Sequence, residues 1–131
     1  MKLIADIGNT LSKFAVFNNA EIVDLKTFEG KKAEEQYAYL NNLNSIKGLI
    51  HATVGSEEIN FRKLFPATNC LSLSFQTPLP IENLYESPES LGADRIALAV
   101  GGNNMFPEQN LLIIDLGTCI TFDFVNKQVN K

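Results

Sequence analysis

The residues with the clearest chemical meaning occur twice in this chain, 109 positions apart. Residues 6–10 read DIGNT and residues 115–118 read DLGT, each directly after an apolar run. A glycine turn lets backbone N–H groups approach a phosphate, and a carboxylate at the end of a strand can hold a metal ion. Two such turns facing each other would clamp a nucleoside triphosphate from both sides. We therefore predict that Asp6 and Asp115 face one cleft.

The alternative for the first turn is a plain hairpin, with Gly-Asn chosen for positive φ and Asp6 as a turn cap. Repetition of the motif argues against it, because a turn need not repeat the preceding carboxylate. A carboxylate at the end of an apolar strand needs a partner, and a metal ion can supply one. Thr10, Ser12 and Thr118 add hydroxyl groups, and Lys13 adds a positive charge near the phosphates.

A second constellation is SLGADR at residues 90–95. An acid and a base at adjacent helix positions do not face each other, so Asp94 and Arg95 are not a simple surface ion pair. One interpretation is a solvated helix start with a favourable acid in its first turn. The functional one is that Asp94 accepts a proton from a hydroxyl while Arg95 holds a substrate carboxylate.

The single histidine and the two cysteines offer little catalytic chemistry. His51 lies in a predicted buried strand, which favours a structural role, so zinc chemistry and a Ser-His-Asp triad both lose support. Cys70 and Cys119 lack C-x-x-C spacing and favour free buried thiols in a reducing cytoplasm. A disulfide between them stays an open alternative.

Composition bounds the class of protein. A chain of 131 residues normally forms one domain, and 45% hydrophobic with 20% charged residues is typical of globular proteins. The formal charge of −4 and the absence of a basic stripe argue against nucleic acid or an anionic membrane as partner. No apolar segment approaches the roughly 20 residues that span a bilayer, and the N-terminus does not resemble a signal peptide.

Hydrophobic periodicity and turn residues predict the elements that position these groups. Expected in order are strands at 2–7, 12–17 and 21–28, a helix at 31–43, a strand at 48–54, a short helix capped by Ser56 with Glu57 and Glu58 in its first turn, a strand at 68–75, an ordered loop at 76–90, a helix from Glu89 that ends at 101–104, and a hairpin at 111–125. In the last helix the predicted core-facing residues are Ala93, Ile96, Ala97 and Val100.

This order is typical of an α/β ribonuclease-H-like domain of the actin-like ATPase kind, whose mixed sheet begins with a meander. We expect residues 1–110 to form that domain. Residues 111–131 would be the first hairpin of a truncated second domain of the same kind.

The two turns and the GADR segment, in this order and spacing, resemble type III pantothenate kinase, a family of the acetate kinase, sugar kinase, Hsp70 and actin superfamily. The resemblance covers essentially the whole chain but only about the first half of a family member. It implies ATP-dependent phosphorylation of pantothenate, the first step of coenzyme A synthesis, by a cytoplasmic homodimer. Its cofactors would be ATP with Mg²⁺ and a monovalent cation, K⁺ or NH₄⁺.

The resemblance also implies residue roles. Asp94 would be the general base, Asp115 would bind the monovalent cation, and Asp6 would hold magnesium with the phosphates. Pantothenate would be bound at Tyr85, Gly92, Ala93, Asp94 and Arg95. ATP would be bound at Asp6, Ile7, Gly8, Asn9, Thr10, Leu11, Ser12, Lys13 and Thr118.

Three alternatives stay open. The chain could belong to another superfamily kinase that phosphorylates a different small hydroxyl compound. It could belong to a nucleotide-binding switch of the Hsp70 or actin class, in which Asp94 has no acceptor to deprotonate. It could also be a non-enzymatic partner, like the transcriptional accessory proteins assigned to the same family.

Overall fold

A computed structural model describes residues 1–30, 32–54 and 59–127. The chain divides into two compact units, Met1–Leu73 and Ser74–Lys131. Seven elements make up the first unit: β1 (Lys2–Ile7), β2 (Leu11–Asn18), β3 (Glu21–Glu29), α1 (Ala33–Asn41), β4 (Gly48–Thr53), α2 (Phe61–Leu64) and β5 (Asn69–Ser72).

The first unit is built on a five-stranded mixed sheet with the strand order β3-β2-β1-β4-β5. β2 is antiparallel to both β1 and β3, whereas β4 is parallel to β1 and β5 is parallel to β4. An antiparallel meander followed by parallel strands fits the actin-like fold class expected from the sequence. The first three strands also agree with the predicted bounds to within one residue, because turn residues mark both hairpins.

The core of this unit lies on one face of the sheet. Leu3, Ala5 and Ile7 alternate inward on β1, and Phe14 and Val16 do so on β2. β1 is therefore buried on one face only, and its other face carries polar or exposed side chains, as in a half-buried sheet.

Tyr39 on α1 ties the helix to this sheet. Its ring packs against Phe14 and Phe28, with ring centroids 5.9 and 6.0 Å away, and its hydroxyl donates to Asp24 Oδ2 at 2.9 Å. Burial, and then the hydrogen bond to Asp24 and its charge, raise the pKa of Tyr39 from 10.0 to about 12. The neutral phenol is thus favoured more in the folded than in the unfolded chain.

This pKa difference predicts an alkaline loss of stability. The contribution of Tyr39 is complete below pH 10 and declines as the pH rises towards about 12, because the unfolded phenol ionises first. We expect the midpoint of urea unfolding to decrease from pH 9 to pH 11, and this decrease should be smaller in Tyr39→Phe than in the wild type. Tyr37→Phe, on the same helix, is the matched control and should keep the wild-type decline. Equal declines in all three proteins would contradict the prediction.

The segment between β4 and β5 differs in detail from expectation. The predicted helix cap at Ser56 and the acids Glu57 and Glu58 lie outside the described residues. The described helix, α2, is capped instead by Asn60, whose Oδ1 accepts from the Lys63 N–H at 2.9 Å. β5 has four residues where the sequence predicted eight, at 68–75.

The second unit begins with the proline-containing loop, which includes a 3₁₀ turn at Pro88–Ser90, and continues with α3 (Ala93–Met105), β6 (Leu111–Leu116) and β7 (Ile120–Val125). β6 and β7 form a separate antiparallel two-stranded sheet. One face of this hairpin contacts α3, and the opposite face is apolar and exposed. The predicted boundary between residues 1–110 and 111–131 stays a prediction.

The bounds of α3 correct two expectations. The helix begins at Ala93 rather than Glu89, and it continues through Gly101 and Gly102, which were expected to end it. A Cβ at Gly102 would lie 2.9 Å from Ile113 Cδ1, so this glycine allows the close approach of helix and strand. Ala97, predicted to face the core, is exposed, because β6 and β7 cover only one side of the helix.

Two further observations bear on the sequence-based expectations. No helix in the described ranges combines the length and the apolar character needed to cross a bilayer. Cys70 and Cys119 are both free thiols, as expected, but Cys119 is exposed rather than buried. Partial burial raises the pKa of the Cys70 thiol, and nearby Arg62 opposes this shift.

Candidate active site

The first turn joins β1 to β2 without the positive φ that the plain-hairpin interpretation requires. In the described part of the chain, positive φ occurs at Asn19, Gly30, Ser45 and Glu108, and not at Gly8 or Asn9. The Gly8 N–H donates to the Leu11 carbonyl at 2.9 Å, and the Gly30 N–H donates to the Thr10 carbonyl at 2.8 Å. The Gly8 amide is thus used inside the turn rather than for a phosphate.

Side chains of the first turn divide between the two faces of the sheet. Asp6 lies opposite Lys13 across the two strands, so the carboxylate and a positive charge share one face. Ile7 and Ser12 lie on the other face, in the core, and Ser12 is only 2% exposed. A contact of Ile7 or Ser12 with ATP would therefore have to come from the backbone.

The second turn is not a structural copy of the first. Asp6 pairs with Lys13. At the 109-residue offset the residue equivalent to Lys13 is Phe122, but Asp115 pairs with Thr121, one residue earlier. A tighter turn explains the shift, because the Gly117 N–H donates to the Cys119 carbonyl at 3.1 Å. The two Asp residues therefore do not occupy the same hairpin register. Because they also lie in different compact units, their sharing of one cleft stays a prediction.

Oxygen atoms around Asp115 suit a cation. Asp115 and Thr121 are cross-strand neighbours on the face that contacts α3, and both are partly buried. Thr121 Oγ1 is buried and has no hydrogen-bond partner among the described residues. Within those residues there is no group of three or more His, Cys, Asp or Glu side chains that could hold a metal ion. A weakly held monovalent cation that also takes hydroxyl and carbonyl oxygens fits this donor set better than a transition metal.

Asp94 lies in the first turn of α3, where an acidic residue is favourable for the helix. Its side chain is exposed, and its Oδ1 accepts from the backbone N–H of Arg95 at 2.8 Å. Gly92 precedes the helix, and Asp94 Oδ1 occupies the space that a Cβ at Gly92 would need. The glycine therefore permits the observed orientation of the carboxylate.

Arg95 turns away from Asp94 and binds Asp123 on β7. Its Nε and Nη2 donate to the two carboxylate oxygens at 3.0 and 2.6 Å. The guanidinium carbon also lies 5.2 Å from the centroid of the Tyr85 ring, within the range of a cation–π contact. The hydrogen bonds to Asp123 raise the pKa of Arg95 above its already high ordinary value, so this side chain stays charged.

These residues border a cavity of about 410 Å³ within the second unit, a size typical of small-molecule sites. The cavity lies between the 79–85 segment, α3 and β7, and its lining includes Tyr85, Arg95 and Asp123. Asn83 also lines it. Asn83 Oδ1 accepts from the Tyr85 N–H at 3.0 Å, whereas its Nδ2 is buried without a partner among the described residues. An apolar cavity with Arg and Asn donors can bind an organic acid.

The family model described as type III pantothenate kinase matches residues 2–130. The chain belongs to this family.

Curated type III pantothenate kinases are similar to this chain along almost its whole length. The enzyme of Bacteroides fragilis is 38% identical over 128 residues, which are 96% of this chain and 52% of that protein. The enzyme of Flavobacterium johnsoniae is 36% identical over 132 residues, 99% of this chain and 54% of that protein. The chain thus spans about half the length of the curated relatives it matches.

Of the residues that the type III pantothenate kinase resemblance assigned to pantothenate, the structure brings Tyr85 and Arg95 together at the cavity. Gly92, Ala93 and Asp94 lie at the start of the same helix but are not among the residues that line the cavity. Thr118 is exposed in the second turn. The assigned roles of all these residues stay predictions.

Sequence reasoning missed Asp123. The signal was present, because the alternation in residues 120–125 places Asp123 on the face it shares with Val125, in a strand that is otherwise largely apolar. A carboxylate there needs a cationic partner, and the chain has only two arginines, Arg62 and Arg95.

His51, by contrast, has the structural role that the sequence favoured. Its ring packs against Phe61 with centroids 4.7 Å apart, and its Nδ1 lies 3.4 Å from Thr53 Oγ1.

Proposed function

We propose that this chain supplies the first half of an ATP-dependent kinase that transfers the γ-phosphate of ATP to the hydroxyl of pantothenate, giving 4′-phosphopantothenate. The observation that carries the proposal is the family match over residues 2–130. The whole enzyme would be a cytoplasmic homodimer, and residues 111–131 would begin its second domain. The product would enter coenzyme A synthesis.

Phosphoryl transfer needs positioned phosphates, neutralised charge and an oriented acceptor hydroxyl. In the proposed mechanism, Arg95 binds the pantothenate carboxylate, with Tyr85 stacked on its guanidinium. The exposed Asp94 carboxylate accepts the proton from the substrate hydroxyl as the phosphoryl group is transferred. Gly92 and Ala93 bring backbone groups to the same substrate.

The nucleotide would be bound by the two turns. Residues 6–13 approach the ATP phosphates, with Asp6 as the magnesium ligand and Lys13 as a nearby charge. Asp115 would hold K⁺ or NH₄⁺ with Thr121 as a neighbouring oxygen donor, and Thr118 would contact ATP. When bound, the two cations would neutralise charge on the phosphates.

The test is a coupled ADP-release assay on the full-length protein with ATP, Mg²⁺ and K⁺. We expect ADP release to depend on added pantothenate and to produce one phosphorylated pantothenate per ADP. ATP hydrolysis that is independent of pantothenate would instead support the nucleotide-binding switch. Binding to a transcription factor without turnover would support the accessory-protein alternative.

Gly92→Ala tests whether the orientation of Asp94 matters. The added Cβ must displace the Asp94 carboxylate, while the φ of −58° at residue 92 suits alanine. We expect kcat of the full-length enzyme to fall by about tenfold or more, with an unchanged KM for ATP and an unchanged melting temperature.

Gly101→Ala is the matched control for Gly92→Ala. Nothing lies within 4 Å of a Cβ at Gly101, which is inside the same helix, so this change should keep kcat and stabilise the protein by up to about 1 kcal/mol. Normal turnover in Gly92→Ala would show that the carboxylate position is not important.

A further inference from the structure

The Arg95–Asp123 pair is a bidentate ion pair between α3 and β7. Two parallel N–H···O bonds join one edge of the guanidinium, Nε and Nη2, to both carboxylate oxygens. The side chains are only 21% and 16% exposed. Such bidentate pairs are stronger and more directional than single hydrogen bonds.

Asp123 uses only one edge of the Arg95 guanidinium. A guanidinium has five N–H groups in a fixed plane, and Asp123 uses those of the Nε–Nη2 edge. Asp123 does not use Nη1. The Phe122 carbonyl lies 3.5 Å from Nη2, at the limit of a hydrogen bond. The contacts with Asp123 and Phe122 thus do not involve the Nη1 end of the guanidinium, and a side-chain hydrogen bond with Tyr85 also holds Arg95.

Tyr85 and Asp123 both contact the guanidinium of Arg95. The guanidinium carbon lies 5.2 Å from the centroid of the Tyr85 ring, the carboxylate of Asp123 accepts two hydrogen bonds from Nε and Nη2, and all three residues line the cavity. A free arginine side chain loses rotamer entropy when it is immobilised. An arginine already held in place loses less when a ligand binds.

We propose that Asp123 is a positioning residue for pantothenate, which holds Arg95 so that its Nη1 end meets the substrate carboxylate. The inference rests on the proposed function. Asp123 does not touch the reacting atoms, so its loss should weaken substrate binding rather than slow the transfer step. A purely structural tie between α3 and β7 would instead affect stability and every substrate alike.

Asp123→Asn in the full-length enzyme is the first test, because asparagine keeps the shape and one acceptor but loses the charged bidentate contact. We expect the KM for pantothenate to rise about tenfold or more, with kcat within about threefold and an unchanged KM for ATP. Asp123→Glu, which keeps the carboxylate, should recover part of the affinity. Glu108→Gln, which removes an exposed acid outside the site, is the charge control and should match the wild type.

The decisive measurement uses the alcohol analogue of pantothenate, in which CH₂OH replaces the carboxylate. If Asp123 acts through Arg95, Asp123→Asn should raise the KM for pantothenate much more than the KM for the analogue. Arg95→Lys should reproduce this selective loss even if the Asn variant folds poorly, because lysine cannot be held bidentately.

Equal losses for the two substrates, or a lowered melting temperature with an unchanged KM for pantothenate, would overturn the positioning role while the kinase proposal stands. A wild-type enzyme inactive on pantothenate would overturn both.

Discussion

Asp94→Asn is expected to lower the turnover of the full-length enzyme by roughly 10²-fold or more, the usual scale for a lost general base. Asparagine keeps the size of the side chain and the acceptor for the Arg95 N–H, so the start of α3 should remain intact. It cannot accept the substrate proton. The KM for ATP should therefore stay near that of the wild type, and single-turnover measurements should locate the loss in the transfer step.

Arg95→Ala is the informative comparison for this variant. Arg95 is predicted to bind substrate rather than to do chemistry, so its loss should raise the KM for pantothenate more than it lowers kcat. The two neighbouring residues would thus separate binding from catalysis. Near-normal turnover in Asp94→Asn would reduce Asp94 to a favourable acid at a helix start, the alternative that the sequence left open.

The sequence predicted the first three strands well because their signals are local. Gly8-Asn9 and Asn18-Asn19 mark two turns, and the strands between them alternate in burial. A mixed sheet that begins with a meander was likewise expected from the order of elements. These features depend on residues that are close in sequence, or on topological rules that hold for many proteins.

The predictions were wrong where tertiary contacts set the end of a helix or where the turn sets the register of a hairpin. Two consecutive glycines normally indicate the end of a helix, but Gly102 lies inside α3 because Ile113 packs against it. The repeated motif predicted two equivalent hairpins, yet a tighter second turn shifts the pairing of Asp115 by one residue. Sequence similarity alone does not reveal such a shift, because the register is set by the hydrogen bonds of the turn.

The candidate site was predicted only in part for a similar reason. Arg95 was selected from the SLGADR motif and Tyr85 from the resemblance to type III pantothenate kinase, and the structure brings them into contact. Asp123 is 28 residues from Arg95 on another element, so no spacing rule joins them. The partner of a buried charge is found by asking what neutralises it, rather than by reading a local pattern.

The 131-residue chain alone is expected to self-associate. Six large apolar side chains share the face of the β6–β7 hairpin that points away from α3, each between 51% and 75% exposed: Leu112, Ile114, Leu116, Ile120, Phe122 and Phe124. In addition, both edges of this two-stranded sheet are unpaired among the described residues. Contiguous apolar surface and open edges favour association.

Light scattering after size exclusion measures this association directly. The wild-type chain should elute as a dimer or larger, and Ile114→Thr with Phe122→Ser should shift it towards the monomer. Leu25→Thr is the matched control, because Leu25 is 60% exposed but lies on β3, which belongs to the other compact unit. A wild-type chain that stays monomeric at high concentration would contradict the expectation.

The same isolated chain is expected to lack pantothenate-dependent ATP consumption with magnesium and potassium present. It spans about half the length of its curated relatives, and we expect the base and ribose of ATP to be held by the other half. The turns at Asp6 and Asp115 would then contact the phosphates alone, without enough contacts to orient the nucleotide for in-line transfer. The full-length protein, assayed in parallel, is the positive control. Turnover by the 131-residue chain on the order of 1 s⁻¹, within the ordinary range for kinases, would show that these residues alone complete the site.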